Sequence, residues 1–301
     1  MKSLSIQKVV DLRARIVSDP NAPAYGENQW KMPALEWTWD VLIDLAGEKN
    51  VKPMLDMPNS GKFSIDYRKY EREMSFKEFA EMANGYTETP CYLAYLRPDD
   101  LCAGLLAQAD FSQIFNSSHA RDTRIWIGSK GTNSGLHTDL KDNLFVQISG
   151  RKQLWLISPE HTQYVYPESD NIVNSQVRLP LSDFSRYKKL KKSTLITHIV
   201  GAGDFVYIPK GWWHCFLSLE PSISINHWFG APISDASYVR LILKQGPRYF
   251  ARTLVDAIRY GLLNRQPKND FFFTPPPNGA RFYNWVFGRG FSAKNDPSAN
   301  K

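Results

Sequence analysis

Gly135-Leu-His137-Thr-Asp139 sets an imidazole and a carboxylate two residues apart. In an extended segment successive side chains alternate between faces, so His137 and Asp139 point the same way and can offer a nitrogen and an oxygen to one cation. A His-x-Asp alone recurs by chance in many chains. The block Gly203-Asp-Phe-Val-Tyr-Ile-Pro-Lys-Gly-Trp-Trp-His214 strengthens it: a strand runs to Ile208, a turn occupies 209–211, and His214 opens the next strand. Two histidines and one carboxylate on one side of a metal leave positions open for other ligands, the facial arrangement of non-haem iron(II) oxygenases. A structural zinc site would instead close on four protein ligands. Taken singly, each of these histidines reads as a core or surface residue. His119, His161 and His198 have no comparable partner and keep that reading; His227, beside the site in sequence, is the exception.

Something must hold these residues at the ends of strands. Between 124 and 229 the chain is a series of short runs rich in β-branched and aromatic residues: 124–128, 143–148, 153–157, 194–200, 204–208, 214–219 and 222–229. Turn residues separate them, as at Ser149-Gly150, Gly201-Ala-Gly203 and Glu220-Pro221. That texture predicts a mainly β fold, a sandwich or barrel, with enough chain for a double-sheet jelly roll. Residues 1–90 read as mixed helix and loop. Ser75 and Glu78 form a capping-box pattern ahead of a helix to Ala83, Tyr92–Leu96 reads as a strand, and Asp99 to Phe115 as helical. Helices return at Ser234–Lys244 and Arg248–Leu263. The aromatic stretch 271–287 is expected to dock on something, and the last residues to be disordered. The expected organisation is therefore 1–120 as helical or mixed elements packed on the barrel, 121–232 as the catalytic core, 233–290 as C-terminal helices with the aromatic segment, and 291–301 as a tail.

Composition bounds the setting. Hydrophobic residues make up 43% of the 301, which suits a folded domain. No apolar run approaches the roughly 20 residues that span a bilayer, and the first residues lack a secretory core, so a cytoplasmic protein with no membrane partner is expected. Three cysteines, Cys91, Cys102 and Cys215, make no disulfide framework. The net charge of +7 and the run Arg186-Tyr-Lys-Lys-Leu-Lys-Lys192 permit a polyanionic partner without requiring one. Read alone, Lys152 at a strand start is a solvent-exposed lysine.

The stretch from His137 to Lys152, taken with the block ending at His214, resembles the JmjC (cupin-like) iron(II)/2-oxoglutarate-dependent oxygenases. It is most similar to the branch with the asparaginyl hydroxylase of the hypoxia response and the tRNA wybutosine hydroxylase. There the His-x-Asp is followed by Asn and a Gln-Ile-x-Gly-x-Lys turn, matched here by Asn143 and Gln147-Ile-Ser-Gly-Arg-Lys152. The likeness covers roughly 75–232. It implies a double-stranded β-helix (jelly roll/cupin) with flanking N- and C-terminal helices. It implies Fe(II) held by His137, Asp139 and His214, and 2-oxoglutarate as co-substrate, its far carboxylate paired with Lys152. It also implies Ser134 as a hydroxyl donor to that carboxylate, where the asparaginyl hydroxylase has threonine. Asn143 and Asn226 would line the co-substrate pocket, Trp228 would be an aromatic wall, and Tyr92, more loosely aligned, would also reach the co-substrate. Arg151 is the fallback cation.

The implied reaction is hydroxylation of a C–H bond coupled to conversion of 2-oxoglutarate to succinate and carbon dioxide. A protein or peptide side chain is the leading substrate class; a small molecule or natural product, and a tRNA nucleoside, are alternatives. Lysine demethylation ranks low, since no reader module accompanies the domain. A metal-binding cupin acting as an interaction protein is the non-enzymatic alternative. The resemblance also implies a homodimer through the C-terminal helices.

Overall fold

The computed structural model describes residues 2–56, 69–111, 122–168, 172–180, 184–230, 236–263 and 265. In chain order the strands are β1 (Lys2–Ser5), β2 (Gln7–Lys8), β3 (Ala24–Glu27), β4 (Asn50–Val51), β5 (Met74–Ser75), β6 (Tyr92–Leu96), β7 (Asp122–Gly128), β8 (His137–Thr138), β9 (Asp142–Ser149), β10 (Lys152–Ile157), β11 (Thr194–Val200), β12 (Asp204–Ile208), β13 (Trp213–Ser218) and β14 (Ser222–Phe229). The helices are α1 (Leu12–Ser18), α2 (Trp39–Ala46), α3 (Phe76–Asn84), α4 (Pro98–Leu101), α5 (Leu105–Gln108), α6 (Ala236–Lys244) and α7 (Pro247–Asp256), with a π-helical turn at Ala257–Leu262.

Two sheets face each other. One has the order β1-β11-β10-β13-β8 and the other β2-β3-β12-β9-β14-β7-β6; β4 and β5 form a separate ladder. Side chains of both sheets meet between them: Phe145, Leu154, Leu156, Val206, Ile208 and Phe216 are buried in one cluster. The opposite faces are covered as well. The outward residues of the larger sheet, Leu144, Val146, Phe205, Tyr207, Ile223 and Ile225, pack with Leu42, Phe76 and Phe79 from α2 and α3. Trp213 and Cys215 on the smaller sheet pack with Ile242 of α6 and Tyr249 of α7. Strands covered on both faces lose the apolar/polar alternation, which is why all five residues of β12 are buried. The fold is the mainly β jelly roll with flanking helices that the strand texture predicts.

The strand and helix expectations hold closely at β6, β11, β12 and β14, and at α3 with its Ser75–Glu78 capping box. Two differ. The N-terminal segment is not only helix and loop: β1 pairs with β11 in parallel and β3 pairs with β12, so the sheets begin well before residue 121. These strands are four residues each and pair with partners far along the chain, so no local period marks them. The helix expected over 99–115 is broken into α4 and α5, with Gly104 in the left-handed region between them. The stretches 112–115, 271–287 and 291–301 lie outside the described residues.

Candidate metal centre

β8 and β13 pair antiparallel with His137 directly opposite His214. Cross-strand partners share a face, and the two rings lie 4.3 Å apart, centroid to centroid. Asp139 follows β8 immediately, and its carbonyl accepts a hydrogen bond of 2.8 Å from the N–H of Gly211. Gly211 has φ +84, and a Cβ there would meet Leu241 of α6 at 2.2 Å. A glycine here therefore lets α6 press on the turn that hydrogen-bonds the Asp139 main chain. One ligand atom from each of His137, Asp139 and His214 lies within 4.8 Å of the others, and this is the only such group among the described residues.

The proton placement suits a metal. His137 Nδ1 lies 2.9 Å from the Gly135 carbonyl and His214 Nδ1 lies 3.0 Å from the Trp212 carbonyl. A carbonyl can only accept, so both Nδ1 atoms carry a proton, and in the neutral imidazole it is Nε2 that keeps the lone pair for a metal. Burial, and after it the neighbouring His137 ring, push His214 down to about 4. Its imidazole is neutral at pH 7 and could bind a cation without first releasing a proton. His214 Nε2 stands 3.6 Å from Asp139 Oδ2, too far for a hydrogen bond and suited to a shared ion.

Asp139 is itself held. Trp228 Nε1 donates to its Oδ2 at 2.8 Å and Asn143 Nδ2 to the same oxygen at 3.3 Å. Asn226 Nδ2 donates to Asn143 Oδ1 at 3.0 Å. The two asparagines thus sit at the carboxylate end of the site. The indole N–H of Trp228 has no signature in a motif, because which strand faces Asp139 depends on the register of β14 against β9.

Lys152 lies along the barrel from this group. It opens β10 opposite Ser218, and Leu156 of the same strand is opposite His214; four residues of strand are roughly 13 Å. Lys152 is 3% exposed, which overturns its reading as a surface lysine. Its Nζ donates to Ser224 Oγ at 2.8 Å and lies 5.7 Å from the Phe145 ring centroid. Among the described residues no carboxylate pairs with it, and burial pushes the ammonium down to about 7. Arg151 points elsewhere: it pairs with Glu220 on the surface at 2.8 Å. Ser134 is engaged with main chain, accepting from the Phe216 N–H at 2.9 Å and donating to the Gly135 carbonyl at 3.2 Å. Tyr92 is buried against Trp126, ring centroids 5.7 Å apart. His227 faces away from the group, stacked on Phe111 at 4.5 Å and bonded through Nδ1 to Thr123 Oγ1 at 2.8 Å. Ser224 is the residue sequence reasoning missed at this end; a serine in a buried strand gives no signal until its cross-barrel partner is known.

A jelly roll with two histidines and a carboxylate converging at one mouth defines a cupin. Residues 29–235 match the cupin-like domain family, and the chain belongs to it, as a cupin of the JmjC type. It is 32% identical over 112 residues to Jumonji C domain-containing protein 5 of Drosophila melanogaster, covering 36% of this chain and 28% of that protein. It is 31% identical over 120 residues to HSPB1-associated protein 1 of Rattus norvegicus, covering 38% of this chain and 25% of the relative. With lysine-specific demethylase 8 of Danio rerio the identity is 33% over 106 residues, 35% of this chain and 26% of the relative. The matched stretch thus spans only about a quarter of each of these curated relatives.

Proposed function

We propose that the protein is an Fe(II)- and 2-oxoglutarate-dependent dioxygenase that hydroxylates a C–H bond of a protein or peptide side chain. The observation that carries this reading is the pairing of a three-ligand metal site with a buried lysine that has no carboxylate partner among the described residues. A closed structural metal site would need neither an open side nor a cation inside the barrel. His137, Asp139 and His214 would hold the iron, and Lys152 with Ser224 would hold the far carboxylate of 2-oxoglutarate. When bound, the iron and the co-substrate supply oxidation by dioxygen, with release of succinate and carbon dioxide. The chain's own part is positional. The Gly135 and Trp212 carbonyls fix both histidine tautomers, and Trp228 and Asn143 fix the Asp139 carboxylate. Ser134 would add a donor only by turning its hydroxyl from the Gly135 carbonyl.

A polypeptide substrate is favoured by the relatives whose names speak of lysine demethylation and of association with another protein. The test is succinate release from 2-oxoglutarate with iron and ascorbate, stimulated by peptides; stimulation by a free amino acid or by tRNA instead would move the substrate class. Two further proposals accompany this one. Phe250, Leu254, Ile258 and Leu262 stand exposed at helical spacing on α7 and the π-turn, and a second copy of the chain would cover them; a monomer in light scattering at high concentration counts against it. A cytoplasmic setting fits three unpaired thiols, and no helix among the described residues is long and apolar enough to cross a membrane. Cell fractionation checks the location.

A further inference from the structure

We propose that Tyr95 is a positioning residue for Asp139, acting through Trp228; the inference rests on the metal-centre reading above. Tyr95 has φ +58, in the left-handed region that a side-chain-bearing residue rarely adopts. It sits where β6 slips against β7: Leu93 pairs with Ile127 and Leu96 with Ile125, so β6 carries one extra residue there. A bulge of this kind re-aims a side chain, and the surroundings hold this one on two sides. On one side, the Tyr95 hydroxyl donates to Asp122 Oδ2 at 3.0 Å and the Arg124 guanidinium lies 4.4 Å from the ring centroid. Arg124 Nε bonds the other oxygen of Asp122 at 2.8 Å, and Arg124 is buried. On the other side, the Tyr95 ring lies 5.8 Å from the Trp228 ring and 6.1 Å from Trp126.

Asp122 and Trp228 are direct cross-strand partners, so the assembly lies across one end of β7 and β14. Trp228 is only half-buried, and its indole N–H makes the shorter of the two hydrogen bonds to Asp139 Oδ2. The ion pair of Asp122 and Arg124 fixes Tyr95, the Tyr95 ring fixes the indole, and the indole fixes the carboxylate. Both donors grip Oδ2, the oxygen that stands 3.6 Å from His214 Nε2, and so set the orientation of the carboxylate toward the two imidazoles.

The experiment compares Tyr95→Gly, which keeps the left-handed backbone and removes the ring, with Tyr95→Phe, which keeps the ring. Cobalt(II) is titrated anaerobically into the full chain by visible absorption, and the indole N–H resonance of Trp228, assigned among nine tryptophans by Trp228→Phe, is followed in the metal-free protein. Tyr95→Gly is expected to weaken cobalt binding about tenfold, the lower end for groups that orient a metal ligand, and to shift the indole resonance upfield. Tyr95→Phe is expected to stay within about threefold of wild type, and Tyr95→Gly to add nothing in a Trp228→Phe background. Unchanged cobalt affinity in Tyr95→Gly, or losses that add independently, overturns the proposal. If Tyr95→Gly does not fold, Asp122→Asn takes its place, with a weaker loss in the same direction expected and no loss overturning the brace. A wild-type protein that takes up no cobalt defeats the metal reading itself; an unmoved indole resonance defeats the brace alone.

Discussion

The two ends of the barrel interior are built on opposite principles. At the His137–Asp139–His214 end each of the three candidate ligands is oriented by a neighbour: two imidazoles donate to main-chain carbonyls and the carboxylate accepts from Trp228 and Asn143. At the Lys152 end a cation is buried against one hydroxyl and one aromatic ring, with no carboxylate beside it among the described residues. The first end is satisfied before anything binds and offers lone pairs outward. The second carries an electrostatic cost that an incoming anion would relieve. A small molecule with a chelating head and an anionic tail would fit both ends at once, which is why they are read together as one site.

The sharpest way to break this comparison is to delete a group from the satisfied end. Asp139→Ala is expected to abolish turnover while leaving the thermal unfolding midpoint close to wild type; full activity would end the assignment. The opposite end should respond differently. Lys152→Met is expected to weaken 2-oxoglutarate binding at least about 30-fold, from the ~2–5 kcal/mol lost with one partner of a buried charge pair. The same change should stabilise the ligand-free protein by about 1–4 kcal/mol in urea unfolding, because a buried charge is replaced by an apolar chain. A variant both weaker in binding and less stable would mean that Lys152 is structurally paired.

Asn143→Ala removes one of two donors from Asp139 and should cost about tenfold in metal affinity by cobalt titration. The pH dependence separates the ends again. Lys152 releases its proton near 7 in the folded chain and near 10.4 when unfolded. Between these values the unfolded chain binds the extra proton, so this group's contribution to stability rises with pH across the window and is least favourable below pH 7. Unfolding wild type and Lys152→Met at pH 7 and pH 10 should show their stability gap narrowing; a constant gap contradicts a depressed ammonium. The smallest effect is expected of Arg151→Ala, which breaks an exposed ion pair with Glu220: stability close to wild type and unchanged 2-oxoglutarate affinity.

What could be read from the chain follows the same division. The spacing of His137 and Asp139 and the turn before His214 carry local information, and the structure brings these three side chains together. The strands β6, β11, β12 and β14 announce themselves by composition. The burial of Lys152 is invisible locally, since it depends on the two sheets closing over the inner face of β10. The strands β1 and β3 were hidden for a related reason: each is short, and its partner lies more than a hundred residues away. Tyr95 shows a third kind of silence. The run Tyr-Leu-Ala-Tyr-Leu reads as an even strand, and nothing in a tyrosine foretells a left-handed backbone.

The most direct test is calorimetric titration of 2-oxoglutarate into the protein loaded with manganese(II), into the metal-free protein, and into metal-loaded Lys152→Met. The account predicts tight binding only to the first, with both other titrations weakened by at least an order of magnitude. Equal affinity in all three would show that the converging side chains and the buried ammonium do not act on one ligand.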